Sequence, residues 1–242
     1  IVKGMTYLVV NGGKKLRGEI LNQSSKNSAE ALLCASVMIK GPVTLTDLPQ
    51  IEGVKRIVEL LSSIGVKIER SGRTIHLDAS ADLSLDKMDQ NAAEVTRTSL
   101  LLLGALAARE KKYKLYKSGG CRLGERTVRP HLYALQKLGV NIVSKDCYYE
   151  VENSQPLRAS RVILYESGDT TTENAVMAAV LASGATTIKM ASANYMVQDL
   201  CYFLNSAGAK IEGIGSTTLT ITGVNKLRAS KEYSIMPDPI VA

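Results

Sequence analysis

The chain has 242 residues, of which 45% are hydrophobic and 22% charged, the composition of a folded globular protein of one large domain or two small ones and not of a disordered chain. Its longest apolar run, residues 100–108, is far too short to cross a bilayer, and residues 1–18 carry charges without the apolar stretch of a secretion signal. A net charge of +7 admits nucleic acid, a membrane surface or a small anion as partner, but with 5% aromatics, no Trp and dispersed basic residues there is little material for stacking bases, and small phosphorylated ligands are favoured.

Taken in chain order, one α/β unit is written three times. Residues 1–22 precede it. The first copy, about 23–90, opens with a polar group at 24–28 and continues as a helix apolar on all sides toward Gly41. A strand at 43–45 follows, then a loop, then an amphipathic helix whose stripe is Ile57, Leu60, Leu61 and Ile64. A two-strand piece ends the copy. The second copy, about 91–153, opens at 94–98, runs as one apolar helix to Glu110, and has its strand at 114–116. The third, about 154–229, opens at 169–174, runs to Gly184, and has its strand at 187–189. The three amphipathic helices close at Gly65, Gly139 and Gly208, because a helix that stops in a left-handed residue accepts glycine best. An all-round apolar helix is a buried one. The expected fold class is therefore α/β, three small sheets around three buried helices with pseudo-threefold symmetry. Residues 231–242 are read as a final segment leading away from it.

The polar openings of the buried helices are the first candidate site. Ser, Thr, Asn and Asp there are ordinary N-caps. Lys26 and Arg97 are not, since a cation near a helix N-terminus opposes the macrodipole by about 0.3–1 kcal/mol. A bound anion reverses that sign, because free N–H groups at a helix start hold phosphate and carboxylate. The alternative is a solvated side chain that extends into water.

The second candidate is a loop in the second copy, Ser118-Gly119-Gly120-Cys121-Arg122-Leu123-Gly124-Glu125-Arg126, which has no counterpart in the other two. Its glycines permit close approach to a ligand, and Arg122 and Arg126 lower the pKa of the Cys121 thiol, which suits a nucleophile or general acid. Cys34, Cys147 and Cys201 are expected to be inert small hydrophobes. No Cys-x-x-Cys pair is present, so no metal site, zinc included, and no disulfide framework is expected, and the setting is a reduced, cytoplasmic one. His76 is expected to face solvent, and His131 to cap or pack rather than catalyse.

With these residues in hand the chain resembles the enolpyruvyl transferases, in their UDP-N-acetylglucosamine 1-carboxyvinyltransferase branch. The resemblance rests on Lys26-Asn27, Arg97, Gly119-Gly120-Cys121, Gly124-x-Arg126-x-Val128, Thr172-Glu173-Asn174 with 177–182, and 205–211. It extends from Lys15-Leu16-Arg17-Gly18-Glu19 to Pro237-Asp238. Gly-Gly-Cys separates that branch from the shikimate-pathway relative. The resemblance implies two similar domains of three βαβαββ units each, of which this chain is one. Residues 1–22 and those after about 230 would complete the second domain of the same polypeptide.

It also implies transfer of enolpyruvate from phosphoenolpyruvate to the 3-hydroxyl of UDP-N-acetylglucosamine, the first committed step of peptidoglycan precursor synthesis, with no cofactor, nucleic acid or membrane involved. Lys26, Arg97 and Arg126 would hold phosphoenolpyruvate, Asn27 would touch the sugar, and Val128, Gly168 and Asp169 would line the substrate site. Cys121 would protonate the methylene carbon. Thr127, Arg129, Glu166 and Pro239 depart from the family's usual residues, the first three where the nucleotide is contacted. The alternatives are transfer to another nucleotide-sugar, or a ligand-binding domain without catalysis. The 242-residue chain alone is expected to be inactive.

Overall fold

The fold is that of a computed structural model, which describes residues 9–118, 127–153, 156–228 and 232–242. The first stretch of elements is α1 (Lys26–Ser36), β1 (Ile39–Lys40), β2 (Pro42–Thr46), α2 (Glu52–Ser63), β3 (Lys67–Ser71) and β4 (Thr74–Asp78). Then come α3 (Gln90–Val95), a 3₁₀ helix over Arg97–Leu101, α4 (Leu102–Ala107), β5 (Lys112–Tyr116), α5 (Arg129–Lys137), β6 (Val140–Ser144) and β7 (Tyr148–Asn153). The last are β8 (Arg161–Ile163), α6 (Asp169–Ala179), β9 (Ala185–Lys189), α7 (Tyr195–Ser206), β10 (Lys210–Glu212), β11 (Thr218–Thr222), β12 (Leu227–Arg228) and β13 (Tyr233–Ser234). Among the described residues the strands form sheets in the orders β13-β2-β4-β3, β5-β7-β6 and β10-β11-β9-β8, with a short parallel pair β1-β12.

The amphipathic helices α2, α5 and α7 stop as the sequence requires. Gly65, Gly139 and Gly208 follow them at φ of 96°, 89° and 97°, a conformation that costs a side chain more than it costs glycine. Val54, Ile57, Leu60 and Leu61 of α2 are buried on one face. α1 and α6 are buried almost from end to end, so the core has helices at its centre and sheets outside.

The second buried helix is not the single helix expected from 94 to 110. Thr96 is extended, at φ −119° and ψ 123°, and divides α3 from the 3₁₀ helix and α4. Two residues account for the break. Thr96 is β-branched and accepts the extended conformation easily. Ser99 Oγ lies within hydrogen-bond reach of the Ala93 and Thr96 carbonyls (3.1 and 2.8 Å), offering a local alternative to the helical ladder.

α4 can then approach α6 closely. Gly104 N donates to Asn174 Oδ1 at 2.7 Å, and Asn174 Nδ2 donates to Leu100 O at 3.0 Å. A Cβ at Gly104 would overlap the Asn174 carbonyl oxygen and lie 2.9 Å from its Cα.

The C-terminal segment is attached to the domain as far as Asp238. β13 pairs parallel with β2, Ser25 N donates to Met236 O at 2.9 Å, and Asp238 N donates to Gln23 O at 2.8 Å. The reason is Asp199 of α7, 2% exposed, whose carboxylate accepts from Tyr233 Oη (2.7 Å) and Met236 N (3.3 Å). A buried carboxylate needs such donors, and Tyr233 and Met236 bring the segment with them. At the other end, Val10, Leu16, Ile20 and Leu21 stand 77–92% exposed in a stretch without helix or strand.

Gly104→Ala should lower unfolding stability by about 1–3 kcal/mol, the usual cost of forcing extra atoms into a packed core. Urea unfolding followed by circular dichroism measures it. An unchanged midpoint would mean that α4 and α6 are not in such contact.

Candidate active site

The N-terminal ends of α1, α6 and the 3₁₀ helix converge on a cavity of about 710 Å³. Lys26 and Asn27 line it from α1, Arg97 and Thr98 from the 3₁₀ helix, and Gly168 to Thr171 with Glu173 from the start of α6. Thr127, His131, Glu166 and Met196 complete much of the wall. Five of the expected residues are thus brought together: Lys26, Asn27, Arg97, Gly168 and Asp169. Val128 is not among the lining residues. It is the N-cap of α5 and packs partly buried against the core, because its apolar side chain is better placed there than in a polar cavity. Cys121 and Arg126, with Gly119, Gly120 and Arg122, lie outside the described residues.

Lys26 offsets the macrodipole through a neighbour on its own helix. Glu30, one turn along α1 with its side chain 1% exposed, places Oε1 3.3 Å from Lys26 Nζ. Glu30 Oε2 accepts from Thr98 Oγ1. Arg97 donates to Thr127 O at 3.3 Å, which ties the 3₁₀ helix to the approach of α5.

Asp169 is held by the loop after β9. Its carboxylate accepts from Ser192 Oγ and from Asn194 Nδ2 (3.2 and 3.3 Å), fixing the loop after β9 against the start of α6. An acidic residue in a first helical turn also complements the macrodipole.

His131 packs, as expected, but at the cavity wall. Asn174 Nδ2, fixed as a donor by its other bonds, donates to His131 Nδ1 at 2.9 Å. The ring proton is therefore on Nε2, which faces Thr170 Oγ1 at 3.4 Å. Burial first, and the charge of Arg97 second, lower the imidazole pKa to about 4, so His131 is neutral at physiological pH.

Glu173 was singled out only as part of a motif. It is 1% exposed, and its Oε1 is buried with no hydrogen-bond partner among the described residues. Burial above all, then Asp169 and Glu30, raise its carboxyl pKa to about 8, so it is protonated at neutral pH. Of the cavity lining, Lys26 and Arg97 are the described cations, and Glu30, Glu166 and Asp169 the described anions. Glu30 stands four residues after Lys26, the spacing of an ion pair on one helix face, whereas Glu173 gives no signal in a single sequence beyond being a carboxylate inside an apolar helix.

The cysteines divide by position. Cys34 and Cys201 are buried, and burial pushes the Cys34 thiol far up and the Cys201 thiol up to about 12, so both are inert. Cys147 is exposed, against the expectation of a packed residue, because it stands in the turn before β7 rather than within the strand. His76 is exposed on β4, as expected.

A family model described as EPSP synthase (3-phosphoshikimate 1-carboxyvinyltransferase) matches residues 10–242. The chain belongs to the EPSP synthase family. Within it, this member is 39% identical over 233 residues to UDP-N-acetylglucosamine 1-carboxyvinyltransferase 2 of Caldanaerobacter subterraneus subsp. tengcongensis, covering 96% of this chain and 55% of that one. It is 38% identical over 226 residues to UDP-N-acetylglucosamine 1-carboxyvinyltransferase of Borrelia garinii subsp. bavariensis, covering 93% and 52%. The family branch inferred from the residues is the one these relatives carry. The chain spans about half the length of the curated relatives it matches. Among solved structures, the enolpyruvyl transferase NikO from Streptomyces tendae has the same fold, with a TM-score of 0.77 at 21% identity over 94% of this chain and 53% of that one.

The charge state of Glu173 makes stability depend on pH. Its folded pKa lies above the unfolded one, so its contribution is complete below about pH 4.5 and is lost as pH rises through about 8. Glu173→Gln keeps the neutral shape, so relative to the unmodified protein it should gain stability from pH 5 to pH 8.5. Urea titrations at the two pH values check this. An equal difference at both would mean that Glu173 ionises like an exposed carboxylate.

Proposed function

We propose that the chain is one domain of an enolpyruvyl transferase that moves enolpyruvate from phosphoenolpyruvate to the 3-hydroxyl of UDP-N-acetylglucosamine and releases phosphate, a step of peptidoglycan precursor synthesis in the cytoplasm. The observation that carries the reading is the meeting of Lys26, Asn27 and Arg97 at helix N-termini on one cavity. The names of the relatives support it. Phosphoenolpyruvate carries a phosphate and a carboxylate, and backbone N–H groups with two cations are what such a ligand needs.

In this reading Lys26, Arg97 and Arg126 hold phosphoenolpyruvate and Asn27 contacts the sugar. Gly168 lends its place at the α6 start, Asp169 fixes that start, and Val128 supports the approach of α5 from behind. The sugar oxygen bonds to the central carbon of phosphoenolpyruvate while the Cys121 thiol gives its proton to the methylene carbon. The C–O bond to phosphate then breaks as a methyl proton leaves, restoring the vinyl group. An aspartate that takes the hydroxyl proton, and a further arginine, are assigned to a second domain of the same polypeptide. The exposed apolar side chains at residues 9–21 and at Ile240 and Val241 are the surface it would cover. The domain itself, 23–230, is read as three βαβαββ units with pseudo-threefold symmetry. The recurring order of helix, strand, helix and two strands favours that reading.

Phosphate release by the protein expressed from its complete coding sequence should require both phosphoenolpyruvate and UDP-N-acetylglucosamine. Lys26→Ala and Arg97→Ala should each lower kcat/KM by about 10²-fold, the scale for losing one partner of a charged pair. Cys121→Ala should abolish turnover, whereas Cys121→Asp, which keeps an acid there, should retain it. Phosphate release without the nucleotide-sugar, or full activity of Cys121→Ala, would refute the assignment.

A further inference from the structure

Glu30 is hard to explain as part of an anion-binding cavity. It is a carboxylate beside the lysine assigned to the anion, so it weakens the attraction that Lys26 offers. Its burial is a further cost, since a buried charge destabilises a fold unless it is paired and hydrogen-bonded. Yet three features of the surroundings fix it. Lys26, whose side chain is 48% exposed, holds Nζ 3.3 Å from Glu30 Oε1 across one turn of α1. Thr98, next to Arg97 in sequence, donates to Oε2. Gly53, in the first turn of α2, leaves no room beside the pair: a Cβ there would overlap Glu30 Oε1 and lie 2.8 Å from Lys26 Cε. The buried carboxylate therefore joins the backbone that carries Lys26 to the backbone that carries Arg97.

We propose that Glu30 is a positioning residue, which sets where the Lys26 ammonium stands and keeps it in register with Arg97, with Thr98 and Gly53 holding the carboxylate in place. This rests on the assignment of Lys26 to phosphoenolpyruvate. Such a residue trades ground-state affinity for orientation, because only interactions stronger in the transition state raise the rate. The other described charges of the cavity lining are Arg97 from the 3₁₀ helix, Asp169 from α6 and Glu166 before it, while Glu173 beside them is protonated, so Lys26 has other carboxylates toward which it would drift once Glu30 is neutral.

The test is Glu30→Gln, which keeps the volume and an acceptor for Thr98 and removes the charge. Expected is a fall in kcat of about 10- to 100-fold, the scale for sub-ångström to ångström misplacement of a reacting group, with KM for phosphoenolpyruvate unchanged or lower. Glu30→Asp should recover part of kcat, and Gly53→Ala, which leaves every charge in place, should lower kcat in the same manner. An unchanged kcat in Glu30→Gln, or a raised KM with kcat intact, would overturn the proposal. If Glu30→Gln fails to fold by thermal melting, Thr98→Val, which only loosens the carboxylate, must give the same split. If the unmodified protein releases no phosphate at all, the assigned reaction is what fails. Glu30 is then judged by the lysine-ammonium ¹H–¹⁵N spectrum, where Glu30→Gln should move the Lys26 resonance to the position of exposed lysines, and an unmoved resonance overturns the proposal.

Discussion

The amide of Asn174 makes hydrogen bonds of 2.7, 3.0 and 2.9 Å to Gly104, Leu100 and His131, inside the core and away from water. It thereby connects α6 to the broken second helix and to α5. An unpaired buried amide costs on the order of 1–3 kcal/mol, so the three segments hold one another only in this register. That register decides where their N-terminal ends lie. The cavity is a consequence: α6 opens onto it at Gly168, the 3₁₀ helix at Arg97, and His131 forms part of its wall.

The ends so gathered carry partial positive charge, and the side chains there adjust to it in different ways. Asp169 complements its helix and is held by Ser192 and Asn194. Glu173, deeper in α6, keeps its proton. His131 gives up its charge beside Arg97. Lys26 leans on Glu30. The outcome is a polar cavity in which Glu173 and His131 are neutral and Lys26 is paired with Glu30, and whose described lining sets two cations at the mouths of helices beside the carboxylates of Glu30, Glu166 and Asp169. On the proposed assignment, these two cations and the N–H groups of the helix starts are what meet the compact dianion.

Much of this was legible in the residues. The stop at Gly65, Gly139 and Gly208 follows from one conformational fact about glycine, and the burial of α1 and α6 from the absence of any polar face. Lys26 and Arg97 were legible as site candidates because cations at helix starts are out of place, and Asn27 was legible through the family resemblance. What escaped was tertiary. The break at Thr96 depends on Ser99 and on the need of Gly104 to reach Asn174, neither of which has a periodic signature. The Lys26–Glu30 ion pair has the i,i+4 spacing of one helix face, but its burial depends on α2 presenting a glycine at residue 53 opposite α1, a contact between helices that no local pattern encodes. The attachment of 233–238 likewise follows from Asp199, whose burial is decided by the packing of α7.

The central claim is that the helix ends ordered by Asn174 form the seat of phosphoenolpyruvate. A crystal structure of the protein with phosphoenolpyruvate bound tests it most directly. The ligand's phosphate or carboxylate oxygens are expected within hydrogen-bond distance of Lys26 Nζ and of the Arg97 guanidinium, at the mouths of α1 and the 3₁₀ helix. Ligand density elsewhere on the domain, with both side chains in contact only with protein and water, would contradict it.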